Sequence, residues 1–372
     1  MWSRRDFLKL TGAAIAAPSW ASFYPSQNHQ SQADQHHYAS AFTTGSNHHG
    51  FGLFDESGQL VWSTRLPDRA HAPVVHPQQS IVGIVARRPG FFMDFFDLAS
   101  RQRLLRVTPS QHHHFYGHAV FNADGTQLIS QENHYPTGQG KIVIRDWPTG
   151  EIITSFSSNG IGPHESVRFN ENQLIVANGG LKTHPDNDRR ILNLDTMAPN
   201  VSYLSFESGR VLHCVSHNEH HQLSIRHLDV NIQGVVPLGF QYQGDVRDKV
   251  PLVGLSQLNA PTLTYIAMPE PIRRRVKQYC GSVCFDRSGE ILAVSSPRGG
   301  LVAYWHLPSN HFIGITNARD VCGLATTSQP YEFLMTTGTG SQIKANPVQN
   351  TRNLINKHTH CQWDNHLLKI NA

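Results

Sequence analysis

Short apolar runs separated by polar turns fill the chain from Tyr38 onwards. Typical runs are IVGIVARR (81–88), KIVIRDW (141–147), QLIVANGG (173–180) and EILAVSSP (290–297). Apolar residues at helical spacing never continue beyond a few positions. Runs of this length, bounded by Gly, Asn, Asp and Pro, predict an all-β fold that is a sandwich, a barrel or a propeller.

Internal repeats decide among these three architectures. A strand, turn, strand pattern recurs in VFNADGTQLIS (120–130), RFNENQLIVA (168–177) and CFDRSGEILAV (284–294). A second pair of strands follows each of them, in IRDWPTGEIITSF (144–156), YLSFESGRVLHCV (203–215) and WHLPSNHFIGIT (305–316). Two pairs make a four-stranded unit that recurs about every 40–50 residues, which is the pattern of β-propeller blades.

The number of units predicts a seven-bladed β-propeller over residues 38–372. The innermost strands are expected to begin near His71, His118, His164, Leu223, Cys280, Val321 and Cys361. Because the last of these lies near the C-terminus, the N-terminal runs at 38–44, 50–56 and 59–66 should complete that blade and remove an open sheet edge. The fourth unit is the least regular, since polar segments at 192–200 and 217–222 interrupt it. Six and eight blades stay open as alternatives.

The first 21 residues resemble a twin-arginine export signal. SRRDFLK (3–9) has paired arginines followed by Phe-Leu-Lys, and LTGAAIAAPSWA (10–21) is a mildly apolar run that ends on small residues. This run is shorter than the roughly 20 residues of a membrane span, so we expect a mature chain with no transmembrane segment. The resemblance implies export of the folded protein to the periplasm, and an ordinary amphipathic helix is the alternative. Residues 22–37 are predicted to be a flexible lead-in.

Composition and charge narrow the classes of function. The chain has 372 residues, of which 39% are hydrophobic and 16% charged, and its formal net charge is +4. Residues 1–21 contain three basic side chains and one acidic side chain, which leaves +2 for the rest. So small an excess does not favour nucleic acid as a partner. We interpret the basic run RRRVK (273–277) as a solvated loop rather than a docking patch.

The spacing of the cysteines argues against two kinds of site, a covalently attached haem and a zinc ribbon. There are five, at positions 214, 280, 284, 322 and 361, so at least one is unpaired or bound to something in an oxidising compartment. No Cys-x-x-Cys occurs, so neither haem attachment nor a zinc ribbon is predicted. Whether Cys280 and Cys284 pair stays open, and so does a role for Cys280 and Cys322 as soft metal ligands.

The histidines carry the strongest indication of function. The chain has 24, and five fall at or near the start of predicted inner strands: His71, His118, His164, His227 and His366. Inner strands line the central channel of a propeller, where side chains from distant parts of the sequence converge. Because neutral imidazole is the commonest metal ligand, this placement predicts a centre for Fe, Cu or Zn. Glu165 would be a ligand or would orient an imidazole.

Other polar residues are expected to bind a ligand near this centre. Glu132 and Asp320 add carboxylates, and Arg226 would balance the charge of a bound anion. The long connection at 176–197 contains Asn178 and His184, and Arg87 ends a strand. For each of them a structural or solvated position is the alternative.

Two alternatives to a shared metal site stay open. In WD-type propellers a Gly-His before the inner strand commonly belongs to an internal hydrogen-bond network. A polar site without a metal is the other alternative. The histidines at 112–114 and 220–221 are expected to be exposed clusters with adventitious metal affinity.

A family resemblance runs through the same motifs. The likeness covers nearly all of residues 38–370, and its motifs occur in the following order: RRPG, FYGHAVFNADG, QEN, GIGPHE, VANGG, THPD, LNLDTM, LSIRHL, GFQYQG, SPRGG, DVCG and WDNHL. They resemble the domain of unknown function 1513 family. This resemblance implies a periplasmic propeller of WD/YVTN-like type, encoded in iron-regulated clusters beside imelysin-like and di-haem oxidoreductase-like proteins. It assigns no catalytic residues.

These expectations combine into one leading hypothesis with two alternatives. The leading hypothesis is a non-enzymatic periplasmic propeller that binds a metal ion, with iron favoured, in its central funnel and acts with partners in iron acquisition. The first alternative is a metal-dependent or histidine-dependent enzyme, an oxidoreductase or a lactonase-like hydrolase. The second is a plain scaffold for protein interactions.

Overall fold

The computed structural model describes residues 37–187, 190–217 and 219–370. The predicted signal at 1–21 and residues 22–36 of the predicted lead-in lie outside the described residues. The described part of the chain forms seven antiparallel sheets, and in six of them the strands follow in sequence order from the channel outwards. The inner strands of successive sheets contact each other around a central axis. The predicted seven-bladed β-propeller is therefore confirmed.

The first four blades take up residues 70–265. Blade one contains β4 (Ala70–Val75), β5 (Ile81–Ala86), β6 (Met93–Asp97) and β7 (Arg103–Val107). Blade two contains β8 (His113–Phe121), β9 (Gln127–His134), β10 (Gln139–Asp146) and β11 (Ile152–Ser157). Blade three contains β12 (Pro163–Asn170), β13 (Gln173–Asn178), β14 (Asn200–Ser205) and β15 (Val211–Ser216). Blade four contains β16 (Leu223–Leu228), β17 (Val236–Tyr242), β18 (Val253–Ser256) and β19 (Thr264–Tyr265).

The last three blades include the one shared by both ends of the chain. Blade five contains β20 (Ser282–Phe285), β21 (Ile291–Ser296), β22 (Leu301–His306) and β23 (His311–Asn317). Blade six contains β24 (Val321–Thr326), β25 (Phe333–Thr337), β26 (Ser341–Asn346) and β27 (Thr351–Lys357). The closing blade contains β1 (His37–Thr44), β2 (His49–Asp55), β3 (Leu60–Arg65), β28 (Cys361–Trp363) and β29 (Leu368–Ile370).

Burial along the blades falls from the channel to the rim. All six residues of the inner strand β16 are buried, whereas the outer strand β11 exposes five of its six. Apolar side chains of neighbouring blades pack face to face, and one cluster joins residues of blades three, four and five. Each sheet is thus buried between two others, which explains why its central strands are apolar runs without strict alternation.

The closing blade joins the two ends of the chain. Strand β1 pairs with β2 on one side and with both β28 and β29 on the other. The Trp363 ring of β28 packs on Phe54 and Phe42, with centroid distances of 5.2 and 5.8 Å. The predicted sharing of this blade by N-terminal and C-terminal strands is confirmed. Strand β1 begins at His37, one residue before the expected boundary.

Two local expectations differ from the structure. The basic run at 273–277 largely belongs to the helix α1 (Glu270–Val276), not to a loop, and Glu270 forms ion pairs with Arg273 and Arg274. Two prolines at the start of this two-turn helix hide its periodicity in the sequence. The polar residues 217 and 219–222 lie between blades three and four, and the fourth unit forms a four-stranded sheet like most of the others. No helix among the described residues is long and apolar enough to cross a membrane.

Replacement of Trp363 by alanine tests the closure. Trp363→Ala removes the ring that packs on Phe54 and Phe42, and we expect the free energy of unfolding to fall by about 3–5 kcal/mol. Urea-induced unfolding followed by fluorescence and circular dichroism measures this change. The control, Leu354→Ala on the outer strand β27, changes a side chain that is 55% exposed, and should cost less than about 0.5 kcal/mol. A loss below about 1 kcal/mol at Trp363 would contradict this role of the closing blade.

Candidate metal centre

Five imidazoles and one carboxylate meet where the inner strands line the channel. We call this group the histidine cluster, and its members are His71, His118, His164, Glu165, His227 and His366. The ring centroid of His366 lies 4.4 Å from that of His71 and 4.5 Å from that of His118. Each imidazole is less than 10% exposed. The cluster joins side chains from blades one to four and from the closing blade.

Irregularities in the inner strands allow neighbouring residues to face the channel together. A regular strand directs successive side chains to opposite faces, and a bulge relaxes this rule. The pairing of β12 shifts register between Pro163 and Glu165, so His164 and Glu165 both reach the cluster. The pairing of β16 shifts between Ile225 and His227 in the same way, which brings Arg226 and His227 to the channel.

Gly117 makes room for the contact between His71 of blade one and His118 of blade two. It lies in the irregular part of β8 with φ of +110°, a conformation that favours glycine. A Cβ atom there would lie 2.5 Å from Cδ2 of His71. The Gly-His pair that the sequence displays at 117–118 therefore lets the His71 ring approach His118, and their centroids are 5.0 Å apart.

Other buried histidines show what a purely structural role looks like in this protein. His76 contacts the Gly125 carbonyl through Nε2 and accepts the Gln79 N–H at Nδ1, at 3.0 and 2.9 Å. His114, expected to be exposed with its neighbours, is buried and contacts the Phe115 carbonyl and Asn133, both at 3.0 Å. In the histidine cluster, by contrast, four buried nitrogens have no hydrogen-bond partner: His71 Nδ1, His118 Nε2, His164 Nδ1 and His366 Nε2. Buried polar atoms are rarely left in this state, so a ligand is the natural partner.

Glu165 is the carboxylate around which the cluster is arranged. Its Oε2 lies 3.1 Å from Nδ1 of His227 and its Oε1 lies 3.5 Å from Nδ1 of His118. Burial raises the pKa of Glu165 to about 7, and the nearby His366 and the Leu228 N–H oppose that rise. The carboxyl group thus gains or loses its proton near neutral pH.

The imidazoles are neutral at neutral pH. Burial lowers the pKa of His227 to about 3 and that of His366 to about 4. Burial also holds the pKa values of the other three well below their usual range. Neutral imidazoles have a free lone pair, which is the form that binds a metal ion.

Two subsets of the cluster have the spacing of a metal site. Ligand atoms of the first subset, His118, Glu165, His227 and His366, lie within 4.8 Å of one another. The second subset, His71, His118 and His164, meets the same limit. Because both include His118, they form one continuous centre.

The cluster separates two cavities of the channel. One, of about 390 Å³, has apolar walls and includes His118, Glu165, His366 and the exposed Arg168. The other, of about 310 Å³, has His71, His164 and His227 as its floor. We call the second cavity the arginine funnel, since its walls contain Arg87, Arg88, Arg226 and Arg298, with Tyr116, Tyr242 and Tyr279.

Asp364 supports the cluster and was not singled out from the sequence. It is buried, and its carboxylate lies 2.5 Å from Arg69 Nε, 3.2 Å from Arg87 Nη1 and 3.5 Å from His71 Nδ1. It therefore compensates two cations, of which Arg87 lines the funnel, and it lies close to His71 without a hydrogen bond to it. Its position in WDNHL, two residues before His366, is the only sequence signal for this role.

Comparison with known proteins identifies the family. The family described as "Protein of unknown function (DUF1513)" matches residues 64–370. The chain belongs to this family. The matched region includes every member of the histidine cluster and Asp364. No curated protein matches the chain.

The DUF1513 chain also resembles solved structures. A chain in the "Crystal Structure of Mitotic Checkpoint Complex" aligns with a TM-score of 0.56 and 9% sequence identity. The alignment covers 81% of this chain and 76% of that chain. At so low an identity, the likeness shows the fold alone.

Two predicted binding residues lie inside blades, away from the cluster. Glu132 on β9 is fully buried and forms an ion pair with Arg145 at 2.6 Å. Asn178 at the end of β13 donates to the Ser158 carbonyl at 2.7 Å and to Asn200 at 2.9 Å. Glu132 thus connects two strands of its own blade, and Asn178 connects β13 with β14 and with the segment that follows blade two.

The remaining candidates lie on the face of the funnel or apart from it. Arg87 lines both the funnel and a neighbouring groove, and His184 lines that groove only. Asp320 is exposed in the turn before β24. All five cysteines are unpaired, including Cys280 and Cys284. Burial raises the pKa of the Cys280 thiol to about 12 and that of the Cys322 thiol further still, so both thiols are protonated at neutral pH in the metal-free protein.

The buried cluster makes stability depend on pH with two opposite signs. From about pH 4 to 6.5 the unfolded chain protonates histidines that the folded DUF1513 protein keeps neutral, so the free energy of unfolding rises with pH, by up to about 1.4 kcal/mol per pH unit for each histidine. Glu165 makes the free energy of unfolding change with pH in the opposite direction. Its pKa is raised from 4.5 to about 7, so the folded state holds the extra proton between these values and stability falls as pH rises.

Two variants of the metal-free protein separate these contributions. His227→Gln should flatten the rise in unfolding free energy between pH 5 and 6.5, and Glu165→Gln should steepen it. Urea titrations at several pH values measure both slopes. His311→Gln, at an exposed position of β23, should leave the slope as in the wild type. An unchanged slope in His227→Gln would contradict the burial of a neutral imidazole.

Proposed function

We propose that this protein is a periplasmic metal-binding propeller that holds an iron ion in its channel and acts with partner proteins in iron acquisition. The observation that carries the metal site is the histidine cluster itself, in which four buried imidazole nitrogens have no hydrogen-bond partner and two subsets have ligand atoms within 4.8 Å of one another. The family resemblance and the motif at residues 3–9 support iron and export. Imelysin-like and di-haem oxidoreductase-like proteins are the proposed partners.

The proposed ligands are His118, His227, His366 and Glu165. Three imidazole nitrogens with one carboxylate oxygen suit Fe(II) or Zn(II), and they leave room for a further ligand. His71 and His164 lie around this set and would adjust its shape and basicity. Because intrinsic affinities favour Cu(II) and Zn(II) over Fe(II), selection of iron depends on which metal is supplied.

The protonation states favour uptake near neutral pH. The imidazoles are already neutral, so a cation has no proton to displace from them. Glu165, with its pKa of about 7, loses its proton when the cation binds. Binding should therefore strengthen from pH 6 to pH 8.

Metal analysis of untagged protein tests the proposal. Elemental analysis and anaerobic calorimetry, with Fe(II), Zn(II) or Cu(II) supplied one at a time, should give one ion per chain. His227→Ala and His366→Ala should weaken binding by on the order of a hundredfold, because each removes one of four ligands. His311→Ala removes an exposed imidazole and should bind as the wild type does.

Two results would contradict the proposed metal site. One is a wild-type protein that takes up none of the three ions in stoichiometric amount. The other is an equal loss of affinity in His311→Ala and His227→Ala, which would place the bound metal on surface histidines.

The export signal is tested separately. Joint replacement of Arg4 and Arg5 by lysine should leave the protein in the cytoplasm, because the twin-arginine pair is a receptor-read address. Lys9→Arg keeps the pair and should be exported. Cell fractionation with immunoblotting measures both variants, and periplasmic protein in the double variant would contradict the assignment.

A further inference from the structure

We propose that the arginine funnel binds a small, multiply charged oxyanion, a ligand that carries two or more carboxylate or phosphate groups. The arginines carry this inference by themselves. A bound metal ion would strengthen it but is not required.

The funnel gathers arginines, and none of the described residues that line it is acidic. Other arginines in the fold have carboxylates beside them. Arg145 pairs with Glu132 at 2.6 Å, and Arg106 makes two contacts of 2.6 Å with Asp94. Asp364, from outside the funnel wall, contacts Arg87. No comparable partner serves Arg226 within the described residues.

Arg226 gives the strongest single indication that the funnel binds an anion. It is 9% exposed, and its Nε and Nη1 are buried with no hydrogen-bond partner. A buried charge with unsatisfied donors costs several kcal/mol unless a partner arrives from outside the chain. The planar guanidinium fork matches the two oxygens of a carboxylate or phosphate. The geometry is therefore that of a site prepared for an oxyanion.

Arg298 supplies a second cation to the lining of the funnel. The guanidinium carbon of Arg298 lies 4.2 Å from the centroid of the Tyr279 ring, and this contact favours one position of the Arg298 side chain. Two separate arginines favour a ligand with at least two anionic groups. A cavity of about 310 Å³ lies at the small end of ligand pockets and fits a molecule of about a dozen non-hydrogen atoms.

The floor of the funnel connects this ligand to the histidine cluster. His71, His164 and His227 form that floor, so one oxygen of the ligand would face the cluster. This step rests on the proposed function: a divalent cation next to Glu165 leaves a net positive charge, and an oxyanion would complete its ligand shell from the funnel side.

Calorimetry on metal-free protein tests the anion site without the metal. Citrate and pyrophosphate, as separate probes, distinguish carboxylate from phosphate groups, and acetate supplies a single charge. We expect one citrate or pyrophosphate per chain and at least tenfold weaker binding of acetate. Arg226→Met should weaken binding at least tenfold. Arg168→Met removes the same charge from the other cavity of the channel and should leave affinity unchanged.

A variant at the exposed Arg298 tests the anion site at a position where a substitution should not affect folding. Arg298→Met is at a surface position and should weaken binding severalfold in a protein with an unchanged melting temperature. The proposal is overturned if neither probe binds, if both funnel variants bind as the wild type does, or if Arg168→Met loses as much affinity as they do. Anion binding by a protein that takes up no metal would refute only the metal site.

Discussion

Pairing of β1 with β28 and β29 is the constraint on which the rest of the structure depends. It closes seven sheets into a ring, so that every inner strand faces one axis. His71 lies near the start of the described chain and His366 near its end, and closure brings their ring centroids to 4.4 Å from each other. It also buries the sheet edge that an open arrangement would expose. The channel can hold a site made from distant parts of the sequence only because this ring is complete.

Departures from regular strand geometry turn this scaffold into a candidate site. Register shifts in β12 and β16 direct consecutive side chains to the channel, and positive φ at Gly117 admits the His71 ring. The resulting burial keeps the imidazoles neutral and raises the pKa of Glu165. Burial also disfavours the charge of Arg226, which lies beside this neutral cluster and has no anionic partner among the described residues. The proposed metal ligands and the proposed anion site thus line adjoining cavities of one channel.

The sequence predicts the architecture and the convergence of the histidines, because strand, turn and strand repeats locate the inner strands. It does not predict partners that come from another strand or blade. Glu132 has a suitable residue type and lies near the right strand, yet Arg145 on β10 binds it within the sheet. Asp364 gains its role only through Arg69 and Arg87 of blade one. The helix α1 is too short and too rich in proline for its periodicity to be recognised.

Crystals of the protein loaded with one equivalent of a single divalent metal would test the central claim most directly, with anomalous diffraction measured at that metal's absorption edge. The account predicts one peak on the channel axis, about 2.0–2.2 Å from nitrogens of His118, His227 and His366 and from a carboxylate oxygen of Glu165. An empty channel, with metal bound only at surface histidines such as those at 220–221, would contradict it.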